Sequence, residues 1–344
     1  MDRKTLPAKL ARPRVPSYEG CPVMSWLEAL RFDPLPPLLE SGNESIMFFA
    51  KRDLLGQDAG PVEQLWGSDA VVRLLRKQQG DGCWKYRGAK PGLRSQEDYE
   101  QLETYRIVGE LVERYGFTRK HPSMSRAAEF LFSRQTPEGD WRGIYGRQYT
   151  PNYSAGILEL LVKAGYERDP RAKRAFEWLL SMRQNDGGWA GPIRTVGVGL
   201  TAAVMQAPTI EPDKTKPFSH LATGVVLRAF AAHPKWRKAK EARVAGELLA
   251  SQLLKRDRYP DRADVSYWTK FTFPFWFTDL LSALDSLSLL GFTAQHPQIR
   301  KGLDWLVSRQ QANGLWDVER LKHSSDSLSI ALAICRVFRR FFES

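Results

Sequence analysis

Four times along the chain an apolar helix end is followed by Gln, a short glycine-containing turn and then Trp. The copies are LLRKQQGDGCW ending at Trp84, FLFSRQTPEGDW at Trp141, WLLSMRQNDGGW at Trp189 and WLVSRQQANGLW at Trp316. A recurring unit of this size cannot bury its own apolar face, so each copy must stack on its neighbours, and the repeat decides the architecture before any single helix is read. The last interval is about twice the others. A worn copy, LLASQLLKRDRYPDR, lies within it, with Gln252 and Tyr259 where Gln and Trp stand elsewhere. Five units are therefore expected.

Each unit reads as two helices. Ahead of each Gln runs an amphipathic segment with apolar residues at helical spacing, for example Ala172, Ala175, Phe176 and Leu179, or Ile299, Leu303 and Leu306, which marks a helix with one wet face. After each Trp comes a more uniformly apolar segment, such as 155–164, 221–232, 280–290 or 328–338. A helix apolar nearly all round is buried, so these are inner helices. Pro122, Pro170, Pro234 and Pro297 stand where the next outer helix should start. No convincing alternating strand pattern occurs. The expectation is an all-α protein, an α/α toroid of five to six helical hairpins. Residues 1–20 would form a basic extended arm, 21–64 an N-terminal helical segment and 65–344 the toroid.

The Gln-x(3-4)-Gly-x-Trp elements resemble the QW repeats of terpenoid cyclases such as squalene-hopene cyclase, and the repeats of protein prenyltransferase β subunits, over about residues 65–342. The stretches PLPPLLESGNESIMFFAKRDLLG and FPFWFTDLLSALDSLSLLG look like those of single-domain bacterial prenyltransferase-like repeat proteins. The resemblance implies concentric helices around a cavity that holds an isoprenoid. It gives Gln78, Trp84, Gln135, Trp141, Gln184, Trp189, Gln310 and Trp316 a structural role, the amide bonding backbone groups of the next hairpin and the indole covering the joint.

The family's catalytic motifs are missing. There is no Asp-x-Asp-Asp acid; its nearest approach, Asp257, Asp261 and Asp264, lies among Arg256, Arg258 and Arg262 and reads as a solvated, salt-bridged loop whose cations lower carboxyl pKa values. No DDxxD motif is present. The segment 266–279, which should carry the Asp-x-Cys zinc pair, has no cysteine, and His323 lacks its companions, so no metal site is expected. Magnesium would enter only with a diphosphate ligand.

What remains is a cavity. Between Tyr259 and Phe277 the chain carries eight aromatic residues. They either fill the joint between two hairpins or wall a cavity whose π faces suit a hydrocarbon and developing carbocations. On the second reading Trp268, Phe271, Phe275, Trp276, Tyr153 and His220 bind substrate, a prenyl chain of roughly ten to thirty carbons held by about 0.8 kcal/mol per buried CH2. Asp279, Asp326 and His323, at inner-helix starts, are the candidate acids and polar contacts. Their alternative role is a charge favourable to the helix dipole, with Ser324 or Ser325 as N-cap of the last helix.

Charge narrows the partners only partly. Fifty-one Lys and Arg against 39 Asp and Glu give +12, which favours an anionic partner, yet no nucleic-acid-binding signature is present. Three cysteines, odd in number and far apart, form neither a disulfide framework nor a CxxC site. No apolar run is long enough to span a membrane and residues 1–20 lack a signal segment. A cytoplasmic location, compatible with peripheral membrane contact, is the expectation; oligomeric state is left open. The function expected is isoprenoid handling, terpenoid cyclase-like but without the standard acid. The alternatives are a non-catalytic lipid- or protein-binding toroid and, less favoured, a glycan-active one built on Asp279 and Asp326.

Overall fold

Proline sets where most outer helices begin. In the computed structural model, which describes residues 25–88, 95–206, 208–321 and 326–343, Pro122, Pro170 and Pro297 each lie in the first helical turn, where a missing N–H leaves nothing unsatisfied. Pro234 departs from the expectation. The chain there makes a short 3-10 turn at Trp236–Lys238, and the helix starts only at Lys240. His233 Nδ1 accepts the N–H groups of Lys235 and Trp236 and so holds the turn ahead of the helix. The basic arm at 1–20 and His323 lie outside the described residues.

In chain order the helices are α1 (Ser25–Glu28), α2 (Leu35–Leu39), α3 (Glu44–Leu54), α4 (Asp69–Leu75), α5 (Gln96–Tyr115), α6 (Pro122–Ser133), α7 (Pro151–Leu161), α8 (Pro170–Ser181), α9 (Pro192–Thr195), α10 (Leu200–Gln206), α11 (His220–Ala232), α12 (Lys240–Gln252), α13 (Leu280–Leu289), α14 (Pro297–Ser308) and α15 (Ser327–Phe342). Among the described residues, extended pairing is limited to a two-residue parallel ladder, β1 (Lys270–Phe271) on β2 (Glu319–Arg320), and two isolated bridges. The inner ring runs α3, α5, α7, α11, α13, α15, and α15 packs back on α3. Burial separates the layers as the apolar pattern requires. Helix α11 is buried from His220 to Ala231 except Leu221, whereas α8 buries one face, Ala172, Ala175, Phe176, Trp178 and Leu179. The described residues form an all-α toroid of six hairpins, and the sixth comes from the segment ahead of the repeats: α2 and α3 form its hairpin.

Glutamine stitches each hairpin to the next. Gln78 Nε2 donates to Ser123 O at 2.8 Å, Gln135 to Arg171 O at 2.9 Å, and Gln184 to Asp213 O and Lys216 O at 2.8 and 2.9 Å. Gln310 closes the circle. It donates to Phe32 O and its Oε1 accepts Arg31 N–H and Phe32 N–H, joining the last repeat to the start of the described chain. The tryptophans work within their own unit. Trp84, Trp141, Trp189 and Trp316 each donate the indole N–H to a leucine carbonyl ten residues earlier, Leu74, Leu131, Leu179 and Leu306, adding a second donor to a carbonyl in the last turn of the outer helix that already accepts a backbone N–H. The turn glycines permit the close approach. At Gly82 and Gly314 φ is +94° and +83°, and a Cβ would run into the backbone of Arg126 and Asp33 respectively.

The worn repeat is closed differently from the expectation. Gln252 makes no such stitch, and Tyr259 Oη donates to Pro217 O. The indole that does the work is Trp268, whose N–H donates to Lys255 O at 2.7 Å. Trp268 therefore stands in for the missing repeat tryptophan.

Candidate functional site

The loop between the worn repeat and α13 crosses the ring's interior. It sends its rings to both sides: Phe273 and Phe275 face the mouth where the inner helices end, Trp276 and Phe277 the mouth where they begin. Two arginines hold it, Arg228 buried and Arg114 half-buried. Arg114 Nη2 on α5 donates to Phe273 O at 2.9 Å and Arg228 Nη1 on α11 to Phe277 O at 3.1 Å. Trp276 reaches the opposite wall, where its ring lies against Gly109 and, edge to face at 5.0 Å, Tyr105.

At the mouth where the helices begin, Tyr105, Tyr145, Tyr153, Trp276 and Phe277 surround a chamber of about 480 Å³. A recess of about 260 Å³ adjoins it and shares Tyr145, Asn152, Arg262 and Phe277. Tyr153 meets Tyr105 and Tyr145 in T-shaped contacts at 5.8 and 5.5 Å. Its hydroxyl is buried with no hydrogen-bond partner, as is the amide nitrogen of Gln101, and burial pushes the phenol's pKa well up. Arg262, in a left-handed backbone at φ +50°, lays its guanidinium 3.5 Å from the centre of the Phe277 ring. Asn152, Arg262 and Thr272 add polar groups to this largely aromatic lining, the composition of a small-molecule site.

The mouth where the helices end is wider, a basin of about 1210 Å³. An ionic chain runs from the buried Arg228 and Glu159 to Lys163 and Glu113 on the basin's wall. Arg228 pairs with Glu159 at 2.8 Å, and Lys163 bridges Glu159 and Glu113 at 2.7 and 2.6 Å. Burial alone would raise the Glu159 pKa, but Arg228 and Lys163 hold it below the usual value. A charged pair so deep stands at a desolvation cost its hydrogen bonds must meet, and Arg228 Nη2 is still unpartnered.

The sequence-selected residues separate. Asp279 is the N-cap of α13: its Oδ1 accepts Ser282 N–H at 2.7 Å and its Oδ2 accepts Thr272 N–H at 3.3 Å. Burial raises its pKa to about 6 despite those bonds. Asp326 caps α15 itself, where Ser324 or Ser325 was expected to, and pairs with Arg114 at 2.6 Å; burial works against ionisation, but Arg114 and Ser329 keep its pKa low. Neither carboxylate lines a chamber. His220 is buried between the Trp268 ring, 4.5 Å away, and Asp257, 3.4 Å away. Trp268 and Phe271 are fully buried in the hairpin joint, Phe275 faces the basin, and Trp276 and Tyr153 share the aromatic chamber. His323 lies outside the described residues, among which no three His, Cys, Asp or Glu side chains converge as a metal site would need. Asp257 corrects an expectation. It is buried rather than solvated, because its carboxylate accepts Ser219 Oγ–H and Leu221 N–H at the start of α11.

Sequence reasoning passed over Tyr105, Tyr145, Glu159, Lys163 and Arg228, and read Arg262 only as a cation of a solvated loop. For Glu159 and Arg228 a signal existed, a charge set in the middle of an otherwise apolar inner helix. No helix is long and apolar enough to cross a membrane among the described residues.

Comparison with known proteins places the likeness. The family model for the squalene-hopene cyclase C-terminal domain matches residues 98–199. A probable squalene-hopene cyclase of Sinorhizobium fredii is 33% identical over 87 residues, which cover 25% of this chain and 13% of that one. The squalene-hopene cyclase of Bradyrhizobium diazoefficiens is 23% identical over 204 residues, covering 55% of this chain and 28% of that one. The chain thus matches less than a third of the length of either relative. A solved type II terpene cyclase from Scytonema aligns over 81% of this chain and 97% of its own at 16% identity and a TM-score of 0.36, too loose to carry functional weight. The resemblance read from the QW repeats is thus to squalene-hopene cyclases.

Proposed function

We propose that this squalene cyclase-like ring binds an isoprenoid, or a similarly apolar small molecule, in the aromatic chamber at the mouth where its inner helices begin. One observation carries the reading: rings from α5, from the start of α7 and from the crossing loop converge on one apolar volume, and the buried Tyr153 hydroxyl among them has no partner. Transfer of hydrocarbon into such a volume is worth about 0.8 kcal/mol per CH2.

The site favours binding over protonation-initiated cyclisation. An alkene is protonated by a carboxylic acid aimed into the cavity. Asp279 has a raised pKa, as such an acid would, but both its oxygens receive backbone N–H groups and it lines neither chamber. Its geometry is that of a helix cap.

The test is calorimetry with geranyl, farnesyl and geranylgeranyl diphosphates and squalene, with products followed by mass spectrometry. Binding of at least one, weakened by Trp276→Ala and without conversion, is the expected result. No binding across that panel would overturn the isoprenoid reading; a cyclised product lost in Asp279→Asn would restore the catalytic one.

A further inference from the structure

The basin at the opposite mouth is built as an amphipathic site. Its floor is apolar, with Phe49, Val112, Phe273 and Phe275 all nearly buried within the ring. Its walls carry seven cationic and four anionic side chains. All four carboxylates are already engaged. Asp53 takes both Arg52 and Arg336, Glu113 takes Lys163, Asp285 takes Arg340 and Glu343 takes Arg339. Arg237 and Lys238 are left exposed, with no ion pair among the described residues.

Helix ends explain part of this. The carbonyl ends of α3, α5, α13 and α15 open on the basin and attract cations without any ligand. Arg339 and Arg340, in the last turn of α15, fit that account. Arg237 and Lys238 do not, because they sit on the 3-10 turn between α11 and α12, beyond the end of either helix. Two unpaired cations beside an apolar floor are complementary to a molecule with an anionic head and an apolar body.

We propose that this basin is a second binding site, for a free single-chain anionic amphiphile whose body lies on Phe49, Phe273 and Phe275 and whose phosphate or carboxylate head is held by Arg237 and Lys238. The site is separate from the aromatic chamber: the two share no lining residue, and the crossing loop gives Phe273 and Phe275 to one and Trp276 and Phe277 to the other.

The full-length chain is titrated calorimetrically with dodecyl phosphate below its micellar concentration, with dodecanol and with inorganic phosphate. Dodecyl phosphate should bind, and each half-ligand should bind at least about tenfold more weakly. The double variant Arg237→Glu with Lys238→Glu should weaken dodecyl phosphate by about tenfold or more, and added salt should weaken the wild type further. Lys301→Glu, on the exposed face of α14, should change nothing. Trp276→Ala should leave this affinity intact, which keeps the outcome distinct from that of the aromatic chamber. Equal affinity in wild type and the double variant would overturn the proposal, as would loss in Trp276→Ala, which would place the amphiphile in the other chamber. Binding to phosphatidylglycerol vesicles without binding to free dodecyl phosphate would overturn it too, in favour of a membrane surface.

Discussion

Replacing Asp279 by Asn tests whether its carboxyl is a strained cap or an acid in reserve. The folded carboxyl is held at about 6 against an ordinary 3.8, chiefly by burial. At about 1.4 kcal/mol for each pH decade, ionising it in place costs about 3 kcal/mol relative to the unfolded chain. The native state then binds more protons than the unfolded one between about pH 4 and pH 6. The site's contribution is therefore fully present below pH 4 and lost as pH rises through 6. Asn keeps the bond to Ser282 N–H through its oxygen, but its NH2 meets Thr272 N–H, donor against donor, at a cost of about 1–3 kcal/mol. At pH 4.5 the variant should accordingly be the less stable protein by that amount. At pH 8 it should be close to wild type, because it no longer carries the ionised carboxylate.

The assay is guanidinium or thermal unfolding of both proteins across pH 4 to 8, read as the difference between them. Taking the difference matters because Asp53 and Asp326 have lowered pKa values, so their stabilisation disappears as pH falls and tilts both profiles alike. The gap between wild type and variant should move by about 3 kcal/mol in the variant's favour as pH rises. A gap constant with pH would refute the reasoning, since it would mean that Asp279 titrates alike in folded and unfolded chains.

Gln310→Ala should cost about 2–4 kcal/mol in unfolding free energy, because it strands Arg31 N–H, Phe32 N–H and Phe32 O at the seam of the ring. Gln252→Ala, which breaks no stitch, should stay within about 0.5 kcal/mol. Trp268→Phe removes the pyrrole half of a fully buried indole and frees Lys255 O; it should lower stability by about 2–4 kcal/mol and leave ligand affinity in calorimetry unchanged. Arg228→Met strands Glu159 beside Lys163 alone and should cost about 3 kcal/mol, much of it recovered by adding Glu159→Leu, as a double-mutant unfolding cycle would show.

The ring was readable because a repeat declares its own neighbours. Once Gln and Trp recur at one spacing, hairpins must stack, and nearly uniform apolar runs can only be inner helices. Readability failed where a role is fixed by geometry across hairpins. Asp257 sits among arginines in sequence, and nothing local shows that the start of α11 comes to rest on its carboxylate. Trp268 follows its repeat at a longer distance than its fellows, so Tyr259 looked the better candidate although it is Trp268 that bonds back to Lys255 O, in the turn just past the end of α12.

The aromatic run from Tyr259 to Phe277 shows what density alone leaves undecided. An amphipathic helix would turn such a run to one face; an irregular loop does not, and neighbouring rings here go to different places. Trp268 and Phe271 close the joint, Phe273 and Phe275 floor the basin, and Trp276 and Phe277 wall the chamber. Joint-filling and cavity-lining are therefore both true, of different residues. The two sets should part under substitution. Phe271→Leu should lower the melting temperature and leave ligand affinity alone, because Phe271 is fully buried against Trp305 and lines neither cavity. Trp276→Ala, half-buried, should cost affinity for the apolar ligand more than it costs stability. If Phe271→Leu instead abolished binding while the fold held, the joint and the chamber would be one site, and the division of the ring by its crossing loop would be wrong.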